Sequence, residues 1–149
     1  MTYNFYGWHD SKNVRAVTDI YPSIITPCDL YDNLLHVWCE YTCTPRLRAE
    51  WSTENITLGQ CAITAFLAQD IFGGKVFGVP RGDSNFHCYN IVDDHIFDLT
   101  SEQFGDEELC YTGNPEQFRE IHFSRREKKE RYDYLKSKLK EICLASKNM

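Results

Sequence analysis

A run of apolar residues in the middle of the chain predicts a buried helix. Residues 61–68 contain hardly a polar side chain, and the helical pattern continues to Gly73 and Gly74. Glycine readily takes the left-handed conformation that ends helices. A helix with so little polar surface is typical of the centre of a fold. Thr57 and Gln60 have the spacing of a capping box and predict how this helix begins.

A second helix is predicted near the C-terminus, from about residue 124 to residue 147. Most of its side chains are charged, but one stripe is apolar at helical spacing: Tyr132, Leu135, Leu139, Ile142 and Cys143. We expect this stripe to dock on the body of the protein or on a second subunit, in which case an oligomer forms through this helix. A shorter helix is expected from Asp29 or Asp32 to about Thr42.

Stretches with strand-like composition follow the central helix at residues 75–79, 86–92 and 95–99. The two residues between the last two stretches fit a tight turn and predict a hairpin. Residues 105–117 predict an acidic loop, and residues 121–123 predict one more short strand. Helices followed by a small antiparallel sheet indicate an α+β fold. No repeat or linker interrupts the 149 residues, which predicts a single domain over residues 1–149.

The charge of the chain is uneven and argues against a nucleic-acid partner. The net charge is −6, although the residues from Arg119 onward include ten basic and five acidic side chains. The preceding part is therefore strongly acidic and would repel phosphate backbones. Residues 83–116 carry nine acidic side chains and no basic one. Two interpretations of this segment are open: it lines a cleft for a cationic or amine substrate, or it is a solvated loop.

The sequence offers no support for a membrane partner or a cofactor. Every apolar run is far shorter than the roughly 20 residues of a membrane-spanning helix. The N-terminus lacks the features of a signal peptide. Seven cysteines, an odd number at wide spacings, predict free thiols in the cytoplasm. Because there is no Gly-rich phosphate loop, no nucleotide or redox cofactor is expected.

The first turn of the central helix holds the residue best placed for chemistry. Cys61 lies at the predicted helix N-terminus, where free amides and the helix dipole stabilise a thiolate. A thiolate nucleophile needs a partner base. A two-residue turn in the hairpin puts His87 and Asp98 on one face as diagonal neighbours. Asp98 then orients the His87 imidazole, as the third member of a catalytic triad does.

The triad depends on the register of the hairpin. With the two-residue turn, Val92 pairs with His95, and the side chains of Cys88 and His95 point to the other face and drop out of the site. A slip of one residue would separate His87 from Asp98. The register is therefore the expectation that the structure tests most directly.

Residues 51–104 resemble the bacterial YunG-like proteins. The resemblance rests on the following positions: Trp51-x-x-x-Asn55, Gly59-Gln60-Cys61-Ala62-x-Thr64-Ala65, Gln69-Asp70-x-x-Gly73-Gly74, His87-x-Tyr89-Asn90 and Asp98-Leu99-Thr100-x-x-Gln103-Phe104. More broadly, a Cys at a helix start followed by His and Asp on consecutive strands is similar to transglutaminase-like and papain-like folds. This likeness implies a central helix that starts at the cysteine and packs on a small antiparallel sheet.

The resemblance also implies residue roles. Cys61 would be the nucleophile, His87 the base and later the acid, and Asp98 the residue that orients the imidazole. Papain-like enzymes place a side-chain amide six residues before the nucleophile to help form the oxyanion hole, and Asn55 stands at that position. Gln60 is the rival candidate for this donor. These folds host peptidases, amidases, deamidases and transglutaminases, so a peptide, a protein or another amide or amine is the expected substrate.

A cysteine hydrolase or acyl and amide transferase is one of three functions that the sequence leaves open. In a second, the fold is a catalytically inactive protein-interaction module. In a third, Cys61, His87 and Asp98 bind zinc, because all three are acceptable ligands. A thiol that reacts much faster than the other six would favour the enzyme, and a tightly bound metal would favour the zinc site.

Overall fold

The computed structural model describes residues 2–147 and shows an α+β fold. A four-stranded antiparallel sheet has the order β3-β2-β1-β4. Its strands are β1 (Lys75–Pro80), β2 (Phe86–Val92), β3 (His95–Phe97) and β4 (Glu116–Gln117). The α-helices are α1 (Trp8–Ser11), α2 (Pro27–Leu34), α3 (Cys61–Phe72), α4 (Arg119–His122) and α5 (Arg126–Lys147), with 3₁₀ helices at Pro45–Glu50 and Ser101–Phe104. None of the helices within residues 2–147 has both the length and the apolar character needed to cross a bilayer.

Helix α3 is the centre of the fold, as its apolar sequence predicts. It begins at Cys61, and its middle residues are buried in a core that includes side chains from β1, β2, α2 and α5. Asn90 of β2 donates a hydrogen bond of 2.8 Å to the Ala65 carbonyl and ties the sheet to the helix. The predicted packing of the cysteine-led helix on a small antiparallel sheet is therefore confirmed.

The start of α3 differs from the prediction in its capping. Gln60 precedes the helix and makes no side-chain capping bond. Instead, its buried side-chain amide donates to the Cys39 carbonyl at 3.1 Å. Gly59, with a φ of 71°, brings the chain so close to Cys43 that a β-carbon would lie 2.5 Å from the sulfur. The predicted capping box is therefore wrong, and the helix N-terminus has no side-chain cap.

The hairpin has the predicted register, with Val92 opposite His95 and Asn90 opposite Phe97. Strand β3 ends at Phe97 instead of continuing to residue 99, because the Asp98 amide donates to the carbonyl of Tyr6 at 3.0 Å. The N-terminal segment thus takes over as the partner of the chain at Asp98. The short strand predicted at residues 121–123 is wrong, since α4 occupies this position.

Helix α2 is shorter than predicted, because it spans Pro27–Leu34 and does not reach residue 42. Its N-cap is Thr26, whose amide donates to the Asp29 carboxylate at 3.0 Å. Asp29 therefore takes part in the cap from within the helix, and Asp32 does not.

Helix α5 docks on the body of its own chain. Tyr132, Leu135, Leu139 and Cys143 are buried in the core, and the helix packs against α3 and α2. The docking predicted from the apolar stripe is confirmed, and the stripe is covered without a second subunit. The first turns of α5 also lie beside the N-terminus of α3, which brings part of the basic tail to the candidate site.

Candidate active site

A cavity of about 870 Å³ opens at the N-terminus of α3. The start of β2, the 3₁₀ helix Ser101–Phe104 and the first turns of α5 contribute to its wall. Cys61 and His87 both line it, together with Gln103 and Phe104. The cysteine and the histidine that the sequence singled out therefore share one cavity.

The His87 imidazole is held by a buried carboxylate. His87 Nε2 and Asp98 Oδ2 are 2.6 Å apart, and both side chains are almost completely buried, with 2% and 1% exposed. The Phe104 ring stands edge-on to the imidazole, with centroids 4.6 Å apart. The other ring nitrogen, Nδ1, is buried and has no hydrogen-bond partner within residues 2–147. It is the nitrogen left to exchange a proton with a neighbouring group.

Asp98 is itself fixed by several donors. Tyr111 donates its hydroxyl proton to Oδ2 at 2.8 Å, and the Thr100 amide donates to Oδ1 at 3.2 Å. The backbone of Asp98 is bound to Tyr6, whose ring stacks on Tyr111 at a centroid distance of 4.0 Å. A carboxylate with this many partners keeps its position and orients the imidazole.

Cys61 lies beside the start of β2. Its thiol is partly exposed and contacts the Phe86 carbonyl with an Sγ–O distance of 3.8 Å. The next two residues of the strand, His87 and Cys88, both influence the pKa of the Cys61 thiol. Cys88 is buried on the face of the sheet that packs on α3, whereas His87 lies on the opposite face of the strand and lines the cavity together with Cys61.

The surroundings of Cys61 favour its thiolate. Hydrogen bonding from the Cys88 thiol is the largest influence that holds the pKa of Cys61 well below its ordinary value of 9.0. Burial opposes this effect, and the nearby polar and positively charged imidazole of His87 reinforces it. Cys88 shows the reverse behaviour, because the Cys61 thiolate and burial raise the pKa of its own thiol. The proton thus stays on Cys88 and leaves Cys61.

The same neighbours keep His87 protonated. Burial alone would lower the pKa of His87, but the charge and hydrogen bond of Asp98, with the Cys61 thiolate, raise it from 6.5 to about 10. The arrangement favours a thiolate–imidazolium pair at neutral pH. Such a pair combines a nucleophile with a proton donor, which acyl transfer requires.

The two side chains considered for an oxyanion hole lie elsewhere. Asn55 lies in a turn, where its backbone amide donates to the Ser52 carbonyl at 3.1 Å, and the Gln60 side-chain amide donates to the Cys39 carbonyl. Neither residue belongs to the cavity wall. The backbone amide of Cys61 itself, at the start of α3, which has no side-chain cap, remains as a candidate donor for an oxyanion hole.

The acidic segment contributes little to the cavity. Of the nine carboxylates in residues 83–116, only Asp83 lines it. Asp98 is buried behind His87, and Glu107 pairs with Arg81. The acidic segment therefore lines the cavity at Cys61 with a single carboxylate, and four of its carboxylates instead line a separate cavity beside Tyr6 and Tyr111: Glu102, Asp106, Glu107 and Glu108.

Cys88 and Tyr111 belong to the surroundings of Cys61 and Asp98, although their positions in the sequence did not predict this. The strand register correctly turned Cys88 away from His87, but α3 places Cys61 against that same face. Tyr111 lies in the segment predicted as a loop, and nothing in the local pattern links it to Asp98. Within residues 2–147, no group of three or more His, Cys, Asp or Glu side chains has an arrangement suited to a metal ion.

Comparison with known proteins agrees with the motif-based resemblance. The "Uncharacterized protein YunG" of Bacillus subtilis (strain 168) is 43% identical over 56 residues, which cover 38% of this chain and 48% of the relative. The match thus spans about half the length of that protein. No solved structure matches the chain. A family model described as "YunG protein" matches residues 26–143, from the start of α2 to the buried end of α5, and the chain therefore belongs to the YunG family.

Proposed function

We propose that this protein is a cysteine-dependent hydrolase or acyl and amide transferase with a papain-like or transglutaminase-like organisation. The observation that carries the proposal is the thiol of Cys61, in a cavity, next to an imidazole whose other nitrogen is bound to buried Asp98. Cys61 is the nucleophile, His87 the acid and base, and Asp98 the residue that orients the imidazole.

The first half of the proposed reaction forms a thioester. The Cys61 thiolate attacks the carbonyl carbon of an amide or ester, and the C–O π electrons move to the oxygen. When the tetrahedral intermediate collapses, the bond to the leaving group breaks, and the His87 imidazolium gives that group its proton. The imidazole that remains is neutral and stays bound to Asp98.

The second half releases the acyl group. Neutral His87 takes a proton from water, or from an amine in the transferase case, as that molecule attacks the thioester. Collapse of the second intermediate expels the Cys61 thiolate and restores the ion pair with His87. In both halves the Cys61 backbone amide donates to the oxyanion, because α3 begins there without a side-chain cap.

The chemistry requires reduced cysteines. All seven cysteines are free, and a reducing compartment keeps them so. We therefore place the enzyme in the cytoplasm, with a peptide, protein or small amide as its substrate.

The decisive experiment uses p-nitrophenyl acetate, an activated ester that needs little substrate recognition. The wild-type protein should release nitrophenolate and carry one acetyl group on Cys61 by mass spectrometry. Cys61→Ala should lose both signals, and Cys110→Ala should keep them, because Cys110 is an exposed thiol outside the cavity. Equal acetylation of Cys61 and Cys110 would refute the proposal and favour the interaction module.

A further inference from the structure

In the wall of the cavity at Cys61, cations outnumber carboxylates, although the chain has a net charge of −6. Five basic side chains and two carboxylates contribute to the wall: Arg46, Arg81, Arg125, Lys128 and Arg131, with Asp83 and Glu127. The local charge therefore has the opposite sign from that of the whole protein. Such a reversal attracts anions into the cavity.

Two of these cations are already neutralised. Arg81 makes a bidentate pair with Glu107, at 2.7 and 3.0 Å. The Arg131 guanidinium is buried and donates to Glu127 at 2.8 Å. Within residues 2–147, three cations of the wall have no carboxylate within 4.0 Å: Arg46, Arg125 and Lys128.

Lys128 is the most informative of the three. It is half-buried, and its ammonium group donates to His122 Nδ1 at 2.9 Å. His122 Nε2 in turn donates to Gln117 at 2.9 Å, so both ring nitrogens are used and His122 is neutral. Burial and the adjacent Lys128 charge lower the pKa of His122 to about 4, in agreement with this assignment. A neutral imidazole adds no negative charge, so Lys128 has no carboxylate or other anionic oxygen as its partner among residues 2–147.

An uncompensated cation in a cavity is unfavourable without a partner. An ammonium group has three N–H donors, and among the described residues only His122 accepts one of them. Burial lowers the pKa of Lys128, while the nearby Cys88 and Cys61 sulfurs favour its charged form. An oxyanion beside Lys128 would accept the remaining donors and offset the desolvation.

We propose that the cavity takes a substrate with an oxyanion group, a carboxylate or a phosphate, which Lys128 and Arg125 bind while the acyl carbon faces Cys61. This inference rests on the proposed function and adds its substrate class. The chemistry shared by the two groups is a compact, negatively charged set of oxygen acceptors, and the experiment below distinguishes them.

The first test compares iodoacetate with iodoacetamide, which are similar in size but differ in charge. In both reactions the Cys61 sulfur bonds to the methylene carbon and iodide leaves with the electron pair. For each thiol, the rate with iodoacetate is divided by the rate with iodoacetamide. This ratio should be about tenfold higher at Cys61 than for free N-acetylcysteine amide, because the cations of the wall attract the negatively charged reagent. Lys128→Gln and Arg125→Gln should each lower the ratio by about three- to tenfold, as loss of one nearby charge implies.

Two matched variants serve as controls on the same helix. Lys129 and Arg126 are the neighbours of Lys128 and Arg125, but they pair with Asp133 and Glu130 and do not line the cavity. Lys129→Gln and Arg126→Gln should therefore leave the ratio unchanged. A ratio equal to that of the free thiol, or one that all four variants change alike, overturns the inference.

The second test measures anion binding without using the thiol. Titration calorimetry with glutarate and with inorganic phosphate should show binding of at least one anion to the wild-type protein and loss of that binding in Lys128→Gln. The anion that binds more tightly identifies the group. Absence of binding for both anions, or binding unchanged in Lys128→Gln and Arg125→Gln, overturns the inference. If Cys61 reacts with neither alkylating reagent, the proposed function is wrong. The anion site is then supported or overturned by the calorimetric result.

Discussion

Replacement of Cys88 with alanine is the sharpest test of the electrostatics at Cys61. The Cys88 thiol is buried, with 1% exposed, and it is the largest influence that lowers the pKa of Cys61. A hydrogen bond to a charged group contributes about 1.5 to 3 kcal/mol. Its loss should therefore reduce the thiolate population of Cys61 at pH 6, and with it the alkylation rate, by about ten- to a hundredfold.

The assay is alkylation with iodoacetamide at pH 6, followed by mass spectrometry of the peptide that contains Cys61. In the wild-type protein this peptide should label much faster than N-acetylcysteine amide, because an ordinary thiol is less than about 1% ionised at that pH. Cys88→Ser is the matched control. Its hydroxyl can still donate to the Cys61 thiolate, so its labelling rate should stay within a fewfold of the wild-type rate.

Thermal melting of both variants separates electrostatics from misfolding. Alanine and serine remove the same buried sulfur, so a packing defect should affect both variants. If Cys88→Ala labels Cys61 as fast as the wild-type protein does, the thiolate does not depend on Cys88. Slow labelling of both variants, with matching losses of melting temperature, would show that Cys88 acts through packing alone.

Other predictions concern the imidazole, the pH dependence of stability and the last helix. At pH 6, His87→Ala should slow alkylation of Cys61 strongly and Asp98→Asn less, since the carboxylate acts on the sulfur only through the imidazole. In urea unfolding, the Cys61–His87 pair should make the free energy of unfolding rise with pH below about 6.5, because the unfolded state there binds an extra proton on its thiol. Above about pH 9 the free energy of unfolding should fall, because the folded state retains a proton on His87, whose pKa is raised from 6.5 to about 10. A double alanine variant should lose the contribution of this pair to both limbs, whereas the rise below about 6.5 that His122 causes, with its pKa lowered to about 4, should remain. Leu139→Ala should cost about 2 to 5 kcal/mol of stability by urea unfolding, because the side chain is fully buried, whereas Leu144→Ala, 43% exposed, should cost little.

The local pattern was enough to predict the contact between His87 and Asp98 and the position of Cys61 at a helix start, because each step depends on short-range physics. An almost wholly apolar run bounded by glycines places Cys61 at a helix start. A two-residue turn fixes the hairpin register, and alternation along β2 then puts His87 beside Asp98. The weaker predictions were those in which a distant group competed for a hydrogen bond. The Gln60 side chain binds Cys39 instead of capping α3, and the Asp98 amide binds Tyr6 instead of extending β3.

The α+β class, the central helix that begins at Cys61, the hairpin and the apolar stripe of α5 all follow from the local pattern, because periodicity and turn length act within a few residues. Only the tertiary structure decided which groups surround the sulfur. Cys88 approaches Cys61 because α3 packs on the face of β2 opposite His87, and Tyr111 reaches Asp98 from a segment without regular structure. From the sequence pattern alone, Lys128 is predicted to be one of many solvent-exposed charges on the C-terminal helix. It lines the cavity because burial of the apolar stripe of α5 turns the first turns of that helix toward the N-terminus of α3. Such long-range packing leaves no trace in the spacing of neighbouring residues.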